Sequence, residues 1–161
     1  MDHIRLQSVS ELLYTEARCL DDRNWDGWLD LYLPDAQFWI PMWDAEHELT
    51  EDPQTQLSLM YYPDRSGLED RVFRLRTGAS SASHPLPRTL HQITNITAQE
   101  AARGCVRVES NCQTMSYRHK AADVFYCRYE HLVEHTDRGW RIAGKKIVVL
   151  NDLIRDVLDF Y

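Results

Sequence analysis

No apolar run in this sequence comes near the roughly twenty residues that a membrane helix needs. The first residues, Met-Asp-His-Ile-Arg-Leu-Gln, lack the charged-then-apolar pattern of a secretion signal, so the expected compartment is the cytoplasm. None of the four cysteines, Cys19, Cys105, Cys112 and Cys127, stands in a CxxC pair. That spacing argues against structural zinc and for free, buried thiols in a reducing compartment. Glycine and proline number only six each and are spread singly, leaving no linker, repeat or low-complexity tract to divide the chain. One domain over residues 1–161 is the expectation. GxSxG, the phosphate-loop GxxxxGKS/T, GxGxxG and HExxH are all missing, which removes the sequence-visible routes to hydrolases, phosphate-loop enzymes, dinucleotide binding and zinc proteases. Positive charge is also short. Eighteen Lys and Arg against 25 Asp and Glu give −7, so neither nucleic acid nor an anionic membrane is an expected partner.

Aromatics, by contrast, are plentiful: 5 Trp, 8 Tyr and 4 Phe make 11% of the chain. The first half reads helical. Ser8 with Glu11 forms a capping box ahead of a stripe of Val9, Leu12, Leu13, Ala17 and Leu20. Asn24 caps a second short helix carrying Trp25, Trp28, Leu29 and Tyr32, which Pro34 is expected to end. Residues 36–43 read as a strand, with Pro41 at an edge or a bulge. A polar loop over 44–56 follows, then a short return strand over 57–62. Ser66 with Glu69 forms another capping box, opening a helix over 67–77 with Leu68, Val72 and Leu75 inward and Gly78 as its C-cap. Arg71, Arg74 and Arg76 leave its other side basic.

The second half changes period. Extended stretches over 88–98, 104–118, 123–135 and 139–150, joined by short polar turns, read as antiparallel strands long enough to force a strong twist and curl. In the third stretch Phe125, Cys127, Tyr129, His131 and Val133 share one side. Helices first and hairpin-linked strands after give an α+β fold: a strongly curved antiparallel sheet wrapped by the N-terminal helices. The closing residues, 151–161, are ambiguous between helix and extended tail.

Metal-ligand spacing is poor. His131 and His135 would lie about 13 Å apart on a strand. Asp44, Glu46 and His47 share one solvated loop, and His84 and His91 have no third partner. A curled sheet can still enclose an apolar hollow in which His91 or His131 acts as a base, with Asp26, Asp30, Tyr61 and Tyr62 as further candidates. That describes a stand-alone dehydratase or isomerase, or a ligand-binding module without chemistry.

The run Tyr61-Tyr62-Pro63-Asp64-Arg65-Ser66-Gly67 followed by LEDRVFRLRTG, with Pro87-Arg88-Thr89-Leu90-His91 and the closing LNDLIRDVLDFY, resembles the small (β) subunit of aromatic-ring-hydroxylating dioxygenases. The likeness covers nearly the whole chain and is nearest the benzoate, toluate and anthranilate group, with anthranilate favoured. It implies a cone-shaped fold similar to nuclear transport factor 2 and scytalone dehydratase. It implies an assembly of three large and three small subunits, in which this chain contacts the large subunit and other small subunits. It places the Rieske [2Fe-2S] cluster and mononuclear Fe(II) in the large subunit, with NADH electrons arriving through a separate reductase, and no cofactor in this chain. The sequence agrees, because a Rieske centre needs CxH and CxxH units and no cysteine here has a histidine at either offset. No catalytic residue is implied for this chain. Contact surfaces favour aromatics and arginine, which makes Trp39, Trp43, Tyr61, Tyr62, Arg65, Arg71, Arg74 and Arg88 the interface candidates.

Overall fold

The computed structural model describes residues 3–78 and 85–154, so His84 and the tail beyond Ile154, including most of the closing motif, lie outside the described residues. Helix α1 spans His3–Asp21 and buries Val9, Leu12, Leu13, Ala17 and Leu20, the expected stripe. It begins five residues before the expected cap. No glycine or proline interrupts residues 3–7, and Leu6 prolongs the apolar stripe by a turn, so Ser8 falls inside the helix. The Glu11 carboxylate accepts from Gln7 Nε2 at 3.0 Å instead of closing a capping box.

Helix α2, Trp25–Asp30, is capped as expected, with the Asn24 side chain accepting from the Gly27 N–H at 3.1 Å. Tyr32 does not belong to it. Strand β1 already starts there and runs Tyr32–Pro41, because Ile142 N–H donates to Leu31 O at 2.8 Å and draws the chain into the sheet. Pro34 therefore sits inside β1, in the gap where the register shifts between Tyr32 and Gln37 and no ladder bond is asked of it. A two-stranded hairpin, β2 (Trp43–Ala45) and β3 (Glu48–Leu49), occupies part of the expected loop. Strand β4, Ser58–Tyr62, returns antiparallel to β1, with the bulge at Ile40/Pro41.

Helix α3, Ser66–Thr77, buries Leu68, Val72 and Leu75 and ends at Gly78, whose φ of 68° lets its N–H reach Arg74 O. Its N-terminus differs from the expected box. Asp64 Oδ1 takes the Ser66 N–H at 2.8 Å, and Glu69 pairs with Arg65 Nε at 2.8 Å. The carboxylate two residues upstream thus takes the amide that the Glu69 side chain would hold in a capping box, and Glu69 pairs with Arg65 instead. Gly67 is required by packing: a Cβ there would lie 2.2 Å from Cδ1 of the Tyr62 ring.

The four long strands appear close to their expected bounds: β5 Arg88–Glu100, β6 Val106–Arg118, β7 Ala121–Thr136 and β8 Gly139–Val149. The Thr136–Gly139 turn joins the last two, with Gly139 at φ 87°. Among the described residues one sheet has the order β4-β1-β8-β7-β6-β5. It is not wholly antiparallel, since β1 and β8, the second and third strands in that order, run parallel. A bulge between Thr94 and Thr97, with Asn95 at φ 55°, bends β5.

The sheet has two unlike faces. The inner one carries Val106, Val108, Phe125, Tyr129, Val133, Ile142 and Ile147 against α1 and the fully buried Trp28, Tyr32 and Phe38. Burying a side chain such as Phe38 or Ile40 contributes about 1.5–3 kcal/mol. Among the described residues no helix lies over the outer face.

Candidate functional site

Within the hydrophobic core lies one cluster of buried polar and charged side chains. Glu16, one turn beyond Leu12 and Leu13 on α1, points inward with them and is fully enclosed. Three elements of the sheet answer it. Tyr32 on β1 donates its hydroxyl to Glu16 Oε1, and Lys145 Nζ on β8 donates to the same oxygen at 2.7 Å. His131 Nε2 on β7 donates to Glu16 Oε2 at 3.0 Å. The Lys145 ammonium also lies 4.3 Å from the centre of the Tyr129 ring.

Burial alone would raise the Glu16 carboxyl, but the Lys145 charge and the His131 contact overcome it and hold the group far below the usual carboxylate range. Burial depresses His131 below the ordinary histidine value despite Glu16 beside it. The ring is therefore neutral at pH 7, with its proton on Nε2. Tyr32 is pushed well up by burial and by Glu16. The cluster thus comprises one carboxylate, one ammonium and two neutral donors.

A second carboxylate–histidine pair lies toward the end of α1. His91 Nδ1 on β5 meets Asp21 Oδ1 at 2.6 Å, the His91 N–H donates to Asp21 Oδ2 at 3.0 Å, and Thr89 Oγ1 donates to Oδ1 at 3.0 Å. Burial opposes ionisation of Asp21, and these contacts with His91 reverse the balance and lower it.

Both histidines proposed as bases are thus placed, and both are sealed. The His131 side chain is 0% exposed and that of His91 4%. Neither lines the hollow around Asn111 and Arg128, that around Gln92 and Leu150, or that beneath the β2–β3 hairpin. A general base must lie within hydrogen-bond reach of its substrate, and these two spend one ring nitrogen each on an α1 carboxylate. Asp30 faces the other way, pairing with Arg138 at 2.7 Å, and Asp26 pairs with Arg76 at 2.9 Å. Among the described residues no three His, Cys, Asp or Glu side chains gather in a way that could hold a metal ion. Cys19, Cys112 and Cys127 are buried free thiols, and Cys105 is a half-buried one.

The interface candidates do not form one patch. Trp39 and Tyr61 face each other across β1 and β4 on the outer side, with Lys146 Nζ 4.6 Å from the Trp39 ring centre. Trp43 Nε1 is bound to Val149 O at 2.8 Å. Tyr62 turns inward to Phe38, its ring centroid 6.3 Å away, and Arg65 holds Glu69 and Tyr32 O. Arg74 is exposed and Arg71 half-buried on α3. Arg88 lies over Tyr117 on β5, at the opposite edge of the sheet from β4.

Residues 15–156 match the family model described as ring hydroxylating beta subunit. The toluate 1,2-dioxygenase subunit beta of Pseudomonas putida is 46% identical over 158 residues, 98% of either chain. The benzoate 1,2-dioxygenase subunit beta of Acinetobacter baylyi is 43% identical over 161 residues, 100% of this chain and 95% of that one. The anthranilate 1,2-dioxygenase small subunit of the same organism is 41% identical over 154 residues, 96% of this chain and 94% of that one. Among solved structures, the benzoate 1,2-dioxygenase beta subunit of Burkholderia mallei superposes with a TM-score of 0.78 at 39% identity, covering 94% of this chain and 95% of that one. A Novosphingobium aromaticivorans chain described as a scytalone dehydratase shares the fold at 12% identity, with a TM-score of 0.70 over 96% of this chain and 91% of that one. The curved α+β cone expected from the sequence is the fold observed. With its likeness running nearly end to end, the chain belongs to the family of ring-hydroxylating dioxygenase beta subunits, the small chains of those oxygenases.

Proposed function

We propose that this chain is the mainly structural small subunit of the terminal oxygenase of a multicomponent dioxygenase that dihydroxylates an aromatic carboxylate, benzoate, toluate or anthranilate. The observation that carries the substrate class is the set of relatives at 41–46% identity over nearly the whole chain, each named for an aromatic carboxylate. Anthranilate, favoured by the sequence motifs, stands at 41% against 46% for toluate, so the choice within that class is left to the assay. In this reading the Rieske cluster and mononuclear Fe(II) belong to the large subunit, NADH electrons arrive through a reductase, and three large and three small subunits assemble in the cytoplasm. The sealed state of His91 and His131 favours it over a stand-alone dehydratase of the same cone.

Co-expression tests the proposal. The chain purifies with a large subunit whose sequence carries CxH and CxxH, and oxygen uptake with one of the three carboxylates requires both chains and the reductase. Arg71→Ala and Trp43→Ala weaken that co-purification if the candidates on α3 and β2 meet the large subunit. Turnover of a small molecule by the purified chain alone, lost in His91→Ala, would overturn the reading.

A further inference from the structure

Of the four free cysteines, Cys112 on β6 and Cys127 on β7 are the two that meet in the sheet. The register between those strands runs without a shift from Val106–Val133 to Arg118–Ala121, and it sets Cys112 directly opposite Cys127. A tight turn fixes that register. His119 at φ 52° and Lys120 at φ 64° are the left-handed pair of a two-residue hairpin loop. Both cysteine side chains turn to the inner face and are 3% exposed. The ties that hold Glu16 use neither sulfur.

Strand pairing sets how far apart the two thiols stand. Tyr126 turns both of its main-chain groups toward the end of β8: its carbonyl accepts from the Leu150 N–H at 2.8 Å, and its N–H donates to Asn151 Oδ1 at 2.9 Å. Main-chain groups alternate sides along a strand, so those of Cys127 turn to β6 and make Cys112–Cys127 a hydrogen-bonded pair. The Cα atoms of such a pair lie about 5.5 Å apart, inside the range of about 4.4–6.8 Å that a disulfide spans. Their Cβ atoms stand about 5 Å apart, roughly 1 Å more than in a relaxed disulfide. A bond between them forms by drawing the strands together, which leaves it strained and readily reduced.

We propose that Cys112 and Cys127 are a redox modification site: a peroxide oxidises them to a cross-strand disulfide that ties β6 to β7, and a thiol reductant reopens it. Cys112 reacts first. Burial raises both thiols, Cys127 to about 12. At Cys112 the Tyr129 and Thr114 hydroxyls, the latter 3.6 Å from Sγ, and the Lys145 charge oppose that rise, whereas at Cys127 only Lys145 does. The Cys112 sulfur, giving up its proton, attacks one oxygen of hydrogen peroxide. The O–O bond breaks, the departing hydroxide takes the proton as water, and Cys112 becomes a sulfenic acid. The Cys127 sulfur then attacks the sulfenic sulfur: the S–S bond forms, the S–O bond breaks, and hydroxide leaves with the Cys127 proton as a second water. Two thiols lose two electrons and one peroxide is reduced to two waters. Because both thiols are buried and held protonated, oxidation is slow and keeps pace with strand opening, so the pair answers sustained peroxide and not a brief exposure.

The full-length chain carrying Cys105→Ser, which removes the half-buried thiol, tests this and leaves Cys19, Cys112 and Cys127. After hours in millimolar hydrogen peroxide at neutral pH, with the circular dichroism unchanged, the thiols counted in denaturant fall from three to one. Trypsin, cutting after Arg107, Arg118, Lys120 and Arg128, releases peptides 108–118 and 121–128 as one disulfide-linked species. Reduced glutathione then restores all three thiols. Adding Cys127→Ala strands Cys112 as a sulfenic acid that dimedone captures, while in Cys112→Ala dimedone captures nothing at Cys127. The linked-peptide measurement needs neither alanine variant, so it decides the disulfide even where an alanine loosens the core. Three thiols retained, over-oxidation without a link, a link to Cys19, a link that forms only once the chain is unfolded, or one that reduced glutathione does not open overturns the proposal. Capture at Cys127 but not at Cys112 overturns the order of reaction.

Discussion

Replacing Lys145 by methionine keeps most of the side-chain volume and deletes the ammonium that donates to Glu16 at 2.7 Å. The two side chains are 2% and 3% exposed, so water does not take the place of the lost donor. Glu16 is left as a buried carboxylate with only the Tyr32 hydroxyl and the neutral His131 ring. Removing one partner of such a pair costs about 3–5 kcal/mol, a large part of the 5–15 kcal/mol that holds a typical domain together. For a chain of this size each kcal/mol moves the melting temperature by about 2–4 °C, so the expected fall is roughly 6–20 °C. The double variant Glu16→Gln, Lys145→Met removes both charges and lies within about 2 kcal/mol of wild type, because no uncompensated ion remains. Urea unfolding followed by tryptophan fluorescence reads the difference, with Trp28 fully buried and edge-on to Tyr32 at 5.3 Å. A double variant as unstable as Lys145→Met, or a single variant costing under about 1 kcal/mol, would refute the claim that the charges hold each other in place.

Acidification destabilises the fold in two stages. His131 titrates below 6.5 in the folded state, so as pH falls through 6.5 the unfolded chain binds a proton that the folded one refuses. Glu16 and Asp21 are held below 4.5 and 3.8, and their contribution, full above those values, drains away as pH falls beneath them. Urea midpoints should decline from pH 7 to 5 and more steeply below; a flat profile between 7 and 5 means His131 is protonated in the fold. For the thiols, burial pushes Cys127 up to about 12 and raises Cys19 and Cys112 as well. A chromogenic disulfide reagent at pH 8 therefore modifies Cys105 quickly and all four only after denaturation, and two or more fast thiols in the native chain contradict that burial.

The strands were legible because their alternation is long and unbroken. Val106, Val108, Ser110, Cys112 and Thr114 on β6 all turn inward in step. Phe125 to Val133 do so on β7, where one slipped residue would expose the entire set. Other features depend on contacts far away in sequence. Tyr32 fits the helical spacing of Trp25 and Trp28, and leaves the helix because Ile142, more than a hundred residues later, receives the chain at Leu31. The parallel β1–β8 pair has the same origin, since no local pattern records which strand will lie alongside. At α3 the failure was one of ranking: Ser66 and Glu69 have the right spacing, and Asp64 competes more strongly for the same amide.

The interior cluster left one usable trace in the sequence. Glu16 falls between Leu13 and Ala17 within the α1 stripe, so a carboxylate on the core side needed an inward-facing donor. His131 was already on the inner side of β7, and of Lys145 and Lys146, adjacent on a strand, one had to point inward. What spacing did not reveal is that α1, β1, β7 and β8 bring these groups to a single point and close over it. The closure changes their meaning: a carboxylate, an ammonium, an imidazole and a phenol at hydrogen-bond distance resemble an active site, yet each is held by another of the set. The ties run from one helix to three strands, so they fix α1 on the inner face of the sheet. With those groups spent on one another and shut from water, the cluster serves the packing of α1 on the sheet, as the proposed role of a small subunit requires.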